Sequence, residues 1–395
     1  MSSSQRDISS PELKKGSRSV LSEVGVNKGK DSVNLKDGSK PSLSLSDQEK
    51  KRHPMFRKPS RIRREDSDAS YMANKKRVIF RDDEISTETH KRAKMGVLQE
   101  SEEDEKWIDL DTREKDNICM VVEYTNDIFD FLYEREKATV PSHNYLLDTN
   151  SKFHLRPATR AVLVDWLVEV HDKFQCYTET LYLGINIMDR FLSQHKVDIN
   201  KLQLLAVTSL FIAAKFEEIN LPKLSEYAYI TDGAATKEDI KMSEMFILTE
   251  LKFSIDWPNP LNFLRRISKV DGYDNECRII AKFILEYSMC SPKFVGELPS
   301  RLAAMSMFLA RRILKREKPI WDATYKHYSG GIDAKNDLGF QELCIGMVKE
   351  LGEPSTKLTA LLDKFKRIRN GQIHDKTIDW CKDQVQHNCH KVFNV

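Results

Sequence analysis

The residues in this chain that could do chemistry are scattered rather than grouped. His154, His171 and His195, three of ten histidines, lie too far apart in sequence to suggest a ligand set. Seven cysteines stand at 119, 176, 277, 290, 344, 381 and 389 with no Cys-x-x-Cys pair. That spacing fits neither a zinc site nor a disulfide framework and suits a reducing compartment. There is no phosphate-cradling Gly-rich loop, no His-Glu-x-x-His and no nucleophile elbow. Catalysis has no constellation to rest on, so the chain is read as a binding protein rather than an enzyme, with no cofactor or metal. What remains is charge. Lys50, Lys51, Arg52, Arg57, Lys58, Arg61, Arg63 and Arg64 fall in one stretch without an acid, and two smaller basic clusters follow at 75–77 and 91–94. Such clusters suit nuclear import or contact with a polyanion. Import fits better than direct nucleic-acid binding, because no aromatic platform accompanies the charge and the net charge of the 395 residues is only +3.

Those basic residues belong to an arm, residues 1–115, unlike the rest of the chain. Up to Lys106 its only aromatic residues are Phe56, Tyr71 and Phe80. A segment this polar cannot bury enough apolar surface to offset its conformational entropy, so disorder is expected. The N-terminus lacks an apolar stretch of signal-peptide length, which predicts an intracellular protein, nuclear with some cytoplasmic presence. Within the arm, Arg18-Ser-Val-Leu21 followed by Asn27 resembles the destruction box that hands regulators to a ubiquitin ligase of the anaphase-promoting type. Asn27 lies one residue beyond the usual spacing.

From Asp116 onward the pattern is helical. Val122, Tyr124, Ile128, Phe129 and Leu132 form one stripe, and Pro157 opens a helix carrying Val162, Leu163, Trp166, Leu167 and Val170. Helices follow over 178–192, 202–219 and 237–253, the last begun by a Thr236/Asp239 capping box. The 202–219 segment is apolar on nearly every side from Leu202 to Ala214, so other helices or lipid must wrap it. The run is short for a membrane span and ends in KFEE, which makes it the central helix of a helical domain.

That central helix has a second copy. With Leu205 set over Leu302, an offset of 97 residues, LAVTSLFIAAKF aligns with LAAMSMFLARRI. The same offset sets Trp166 over Phe263 and superposes two further helical patterns without a gap. Two tandem repeats of about one hundred residues are implied. Trp257-Pro258-Asn259-Pro260 marks their junction, giving domains at 116–257 and 258–395. Gly330-Gly331 and Gly352 read as loops, and 376–395 as a helical segment that packs back.

Several of these stretches, KFHLRPATRAVLVDWLVEVH, LYLGINIMDRFL, KLQLLAVTSLFIAAKFEEI and NPLNFLRRISKVDGYD, closely resemble the cyclin family, specifically the B-type cyclins of fungi. The resemblance implies an all-α fold of two tandem five-helix cyclin boxes behind a disordered arm. It implies a regulatory subunit that activates a Cdc2-like cyclin-dependent Ser/Thr kinase in S-phase or G2/M progression. It assigns kinase contacts to Lys215 and Glu244, with apolar partners Ile212, Phe216, Leu248, Phe253 and Ile255. A groove for Arg-x-Leu segments of substrates and inhibitors falls on Thr159, Val162, Leu163, Trp166, Glu169, Leu202 and Gln203. There apolar walls would take the Leu and Glu169 the Arg, with Thr159 and Val162 supplying less apolar volume than the family's usual residues. Arg160 and Asp189 match a pair that braces the first box internally. From the residues alone, each of the apolar positions reads equally as core, and Lys215 as a cation at a helix C-terminus. A second reading, a transcription-type cyclin-box scaffold of the TFIIB kind, predicts basic helix faces within the repeats, whereas here the basic clusters concentrate in the arm.

Overall fold

The computed structural model describes residues 106–316 and 321–393. The arm's destruction-box-like residues Arg18, Leu21 and Asn27, its basic cluster from Lys50 to Arg64 and the disorder expected up to residue 105 lie outside the described residues; residues 106–115, expected to be disordered, are ordered.

Among the described residues there are thirteen α-helices and no strand. A leading helix, α1 (Thr125–Ala138), precedes the first five-helix box: α2 (Pro157–Phe174), α3 (Thr178–Gln194), α4 (Leu202–Glu217), α5 (Leu224–Ile230) and α6 (Lys237–Glu250). The second box holds α7 (Pro260–Ser268), α8 (Asn275–Cys290), α9 (Pro299–Ile313), α10 (Ala323–Tyr328) and α11 (Leu338–Gly352), followed by α12 (Thr359–Lys366) and α13 (Gln372–Gln386). The expected offset of 97 residues relates the starts of α3 and α8 and of α4 and α9; it slips to 99 for α5 and α10 and 101 for α6 and α11, where loops differ in length.

α4 is the axis of the first box, wrapped by α2, α3 and α6. It is buried from Leu202 to Ala214 except at Gln203, so a segment apolar and long enough to span a membrane is here a core helix. Gly184 lets α3 approach closely: a Cβ there would sit 3.3 Å from the Leu210 Cα. In the second box α9 plays the same part. Its far end is covered by the chain's own C-terminal residues, where Phe393 stacks on Phe308 at 5.0 Å and the Lys391 carbonyl accepts from Arg312.

Carboxylates from neighbouring elements, Glu136 buried and Glu218 and Asp165 half-buried, fix several helix starts, satisfying amides that a helix cannot satisfy itself. Glu136 on α1 accepts from the Ser300 amide (2.9 Å) and hydroxyl (2.7 Å) at the start of α9. Glu218 accepts from the Tyr177 amide (2.7 Å) and the Thr180 hydroxyl (2.5 Å) at the start of α3. Asp165 on α2 accepts from the Ala360 and Leu361 amides at the start of α12, at 3.0 and 3.3 Å.

Several sequence expectations are corrected. α4 stops at Glu217, because Glu218 turns away to cap α3. α6 opens on its capping box but stops at Glu250, since Lys252 and Phe253 take left-handed backbone angles (φ 53° and 56°). Gly352 closes α11 instead of forming a loop; a side chain there would strike Val385 of α13 at 2.9 Å. The stripe turns Phe129 onto Phe263 of α7, where Tyr133 joins it, and leaves Ile128 on α1 and Tyr124 just before it exposed. Packing also begins before Asp116, because Trp107 already stacks on His327. Arg160 braces more than its own box, donating to the Met289 and Cys290 carbonyls at the end of α8 as well as to Asp189.

Candidate functional site

The last turn of α4 and the middle of α6 meet through Lys215 and Glu244, whose Nζ and Oε1 are 2.6 Å apart. Lys215 also lies over the Phe211 ring, 4.5 Å from its centroid. With Lys215 44 % exposed and Glu244 13 % exposed, the pair adds roughly 0 to 1 kcal/mol to stability, since solvent screens it. Beside it, Glu217 is pushed above the usual carboxylate range by burial and by its neighbours Glu179 and Glu218.

Around this pair large apolar side chains face solvent. Phe216, 56 % exposed, follows Lys215 on α4, and Ile219 and Leu221 are exposed in the loop beyond. Met242 and Met245 are exposed on α6, and Tyr229 on α5. Phe253, 63 % exposed, is held out by the left-handed turn at the end of α6, where its amide closes back onto the Leu248 carbonyl at 2.8 Å. That turn is anchored from below. Arg190 donates to the Ser254 carbonyl (2.8 Å), and Arg135 of α1 donates to the Ser254 hydroxyl (2.5 Å) and pairs with Asp256. The turn that carries Phe253 is thereby tied to α3 and α1.

Of the seven residues expected here, Lys215, Glu244, Phe216, Phe253 and the half-buried Leu248 are accessible; Ile212 and Ile255 lie buried beneath them. Sequence reasoning missed the continuation on α1. Arg135 brings the end of α1 to residues 254–256, and Phe131, one turn earlier, is 60 % exposed, in line with Ile128 and Tyr124. Tyr124 and Ile128 were legible as part of a stripe and Phe131 was not, and a stripe does not say which side faces the core.

The expected groove lies on α2 and the start of α4, which pack together. Thr159, Val162, Trp166 and Gln203 are half-buried and Glu169 is exposed. Leu163 and Leu202 are fully buried, so they form the core beneath the groove rather than its wall. On the adjoining side of α2 lies α12, held by the Asp165 cap and by Arg367 on Asp172 at 2.9 Å. Burial holds the Asp165 carboxyl above its ordinary range against the pull of the α12 amides. Among the described residues no group of three or more His, Cys, Asp or Glu is placed to hold a metal.

The N-terminal domain model of the cyclins matches residues 127–256, and the C-terminal cyclin domain model matches 258–377. The chain belongs to the cyclin family. The two matches meet at the Trp257–Pro260 junction, one to each five-helix box. Among curated proteins, this cyclin is 59 % identical to S-phase entry cyclin-5 of Saccharomyces cerevisiae over 290 residues, 73 % of this chain and 67 % of that one. It is 53 % identical to S-phase entry cyclin-6 of the same yeast, over 70 % of this chain and 73 % of that one. With the yeast G2/mitotic-specific cyclin-2 it shares 47 % identity over 60 % of this chain and 48 % of that one. The fungal B-type resemblance seen in the sequence is thereby established, and with it a regulatory role toward a cyclin-dependent kinase in the cell cycle.

Proposed function

We propose that this cyclin activates a Cdc2-like Ser/Thr kinase through the face around Lys215 and Glu244, and that its period of action is S phase. The observation that carries the first statement is a charged pair set among exposed aromatic and methionine side chains on a locked rim. Apolar rings supply the area, and the pair fixes docking register more than affinity. By holding the kinase's regulatory helix, such a face shifts the kinase population toward its active arrangement. Ile128 and Phe131 on α1, with Tyr124 just before it, extend the same face. The S-phase assignment rests on the higher identity to the two S-phase cyclins than to the mitotic one.

The groove on α2 takes Arg-x-Leu segments of substrates and inhibitors, with Val162 and Trp166 receiving the Leu and Glu169 facing the Arg. In the arm, the Arg18–Leu21 segment serves recognition by an anaphase-promoting type of ubiquitin ligase, and the Lys50–Arg64 cluster serves nuclear import. The protein itself contributes no catalysis.

The test is to purify the tagged protein from synchronised cells and assay the co-purified kinase on histone. Wild type is expected to carry active kinase from the onset of S phase, and Lys215→Ala with Glu244→Ala to carry much less. A wild-type preparation without kinase would refute the assignment.

A further inference from the structure

From Trp107 to Glu114 the chain lies across the second box, over α7 and α10. The Trp107 indole stacks on the His327 ring at 3.6 Å and 5°. The Ile108 amide donates to the Thr324 hydroxyl (3.1 Å), and the amides of Leu110 and Asp111 both donate to the Tyr328 hydroxyl (2.7 and 3.1 Å). The Asp111 carboxylate meets Lys269 at 2.6 Å and Arg266 at 3.5 Å. Glu114 meets Lys269 at 2.7 Å and accepts from the Tyr273 hydroxyl at 2.8 Å.

No residue from 106 to 119 is itself buried, although Arg266 and Tyr328 beneath them are. The segment is therefore held as a bound peptide is, by a ring stack and charge-assisted hydrogen bonds, not by core packing. Its floor has support of its own. The Arg266 guanidinium lies 4.3 Å from the Phe129 ring centroid and 5.0 Å from that of Tyr328, so rings of α1 and α10 hold the cation in place.

We infer that Arg266, Lys269, Tyr273, His327 and Tyr328 form a peptide-docking site for acidic segments with an aromatic anchor, of the form Trp-x-x-x-Asp-x-x-Glu. Residues 107–114 are its resident occupant, exchangeable with the same sequence supplied in trans. Covalent attachment through residues 115–124 gives that occupant an effective concentration on the order of millimolar, so a free peptide of micromolar affinity competes poorly with it. Release leaves the boxes intact, because the segment contributes no buried side chain to them.

The experiment uses the full chain and a fluorescent peptide of residues 106–117, read by anisotropy. The triple variant Trp107→Ala, Asp111→Ala, Glu114→Ala should melt close to wild type and bind the peptide about tenfold or more tightly than wild type does. Binding should weaken as KCl rises from about 50 to about 500 mM, as expected for ion pairs, and should vanish when Lys269→Ala is added. A folded triple variant that binds no peptide, or no better than wild type, overturns the site, as does binding indifferent to Lys269→Ala. A second measurement needs no variant: in wild type, the same rise in KCl should speed tryptic cleavage after Arg113. Unchanged cleavage overturns exchangeability.

Discussion

The Arg160 guanidinium and the Asp189 carboxylate form a two-point ion pair, Nε to Oδ1 at 2.8 Å and the second nitrogen to Oδ2 at 2.7 Å, with both side chains almost wholly buried. Each makes further hydrogen bonds. Tyr145 donates to Asp189 at 2.7 Å, and Arg160 donates to the Met289 and Cys290 carbonyls at 3.1 and 2.8 Å. One side chain of the first box thus satisfies the last carbonyls of α8 in the second, where a cation also suits the helix dipole. The pair is a rivet between the boxes.

Removing one partner leaves the other charge buried and alone. Arg160→Met should therefore cost about 3 to 5 kcal/mol in urea unfolding, while Arg160→Met with Asp189→Leu should cost less than Arg160→Met alone. A double variant as unstable as the sum of the singles contradicts this account.

His171 on α2 sets a pH dependence. Burial and the neighbouring Lys364 push its pKa down to about 4, while the ring keeps a 2.9 Å hydrogen bond to the Tyr177 carbonyl. The unfolded chain takes up a proton near 6.5 and the folded chain only near 4, so this contribution is fully present above pH 6.5 and is lost as pH falls toward 4. The loss amounts to about 3 kcal/mol. His171→Gln should flatten the stability profile in that window, as read by chemical denaturation at several pH values.

For Lys215→Ala the two readouts should separate. Stability should move by under about 1 kcal/mol, because the pair with Glu244 is screened. Kinase binding should fall by roughly 2 kcal/mol, about thirtyfold in Kd, measured by titration calorimetry with purified kinase.

Asp165→Ala removes the cap of α12. The expected cost is about 1 to 2 kcal/mol, with faster proteolysis between α11 and α12. Docking of an Arg-x-Leu peptide should weaken too, because α12 packs on the side of α2 that adjoins the groove. An unchanged peptide affinity beside faster proteolysis would separate α12 from the groove.

The duplication and the helix starts were legible because their signals are local: an apolar run with no polar side, a capping box at Thr236, prolines at 157, 258 and 260. The ends of α4 and α6 were not, since Glu218 is drawn off by α3 and Phe253 is set by a left-handed turn, both effects of neighbours. The same limit applied to the site. Lys215 and Glu244 were named through their motif and the structure pairs them, yet Ile212 and Ile255, equally apolar on paper, lie buried beneath them, while Phe131 is exposed. Spacing identifies a stripe; only tertiary packing decides which flank of it stays wet.

The covered end of α9 bears on symmetry. Phe308 and Arg312 occupy in the second box the places that Phe211 and Lys215 hold in the first, so the repeat created two equivalent sockets. In the second, Phe393 lies on Phe308 and the Lys391 carbonyl engages Arg312. Residues 391–393 thus cover the end of α9, whereas Phe216 at the matching end of α4 faces solvent, and the duplicated scaffold is asymmetric in what it exposes.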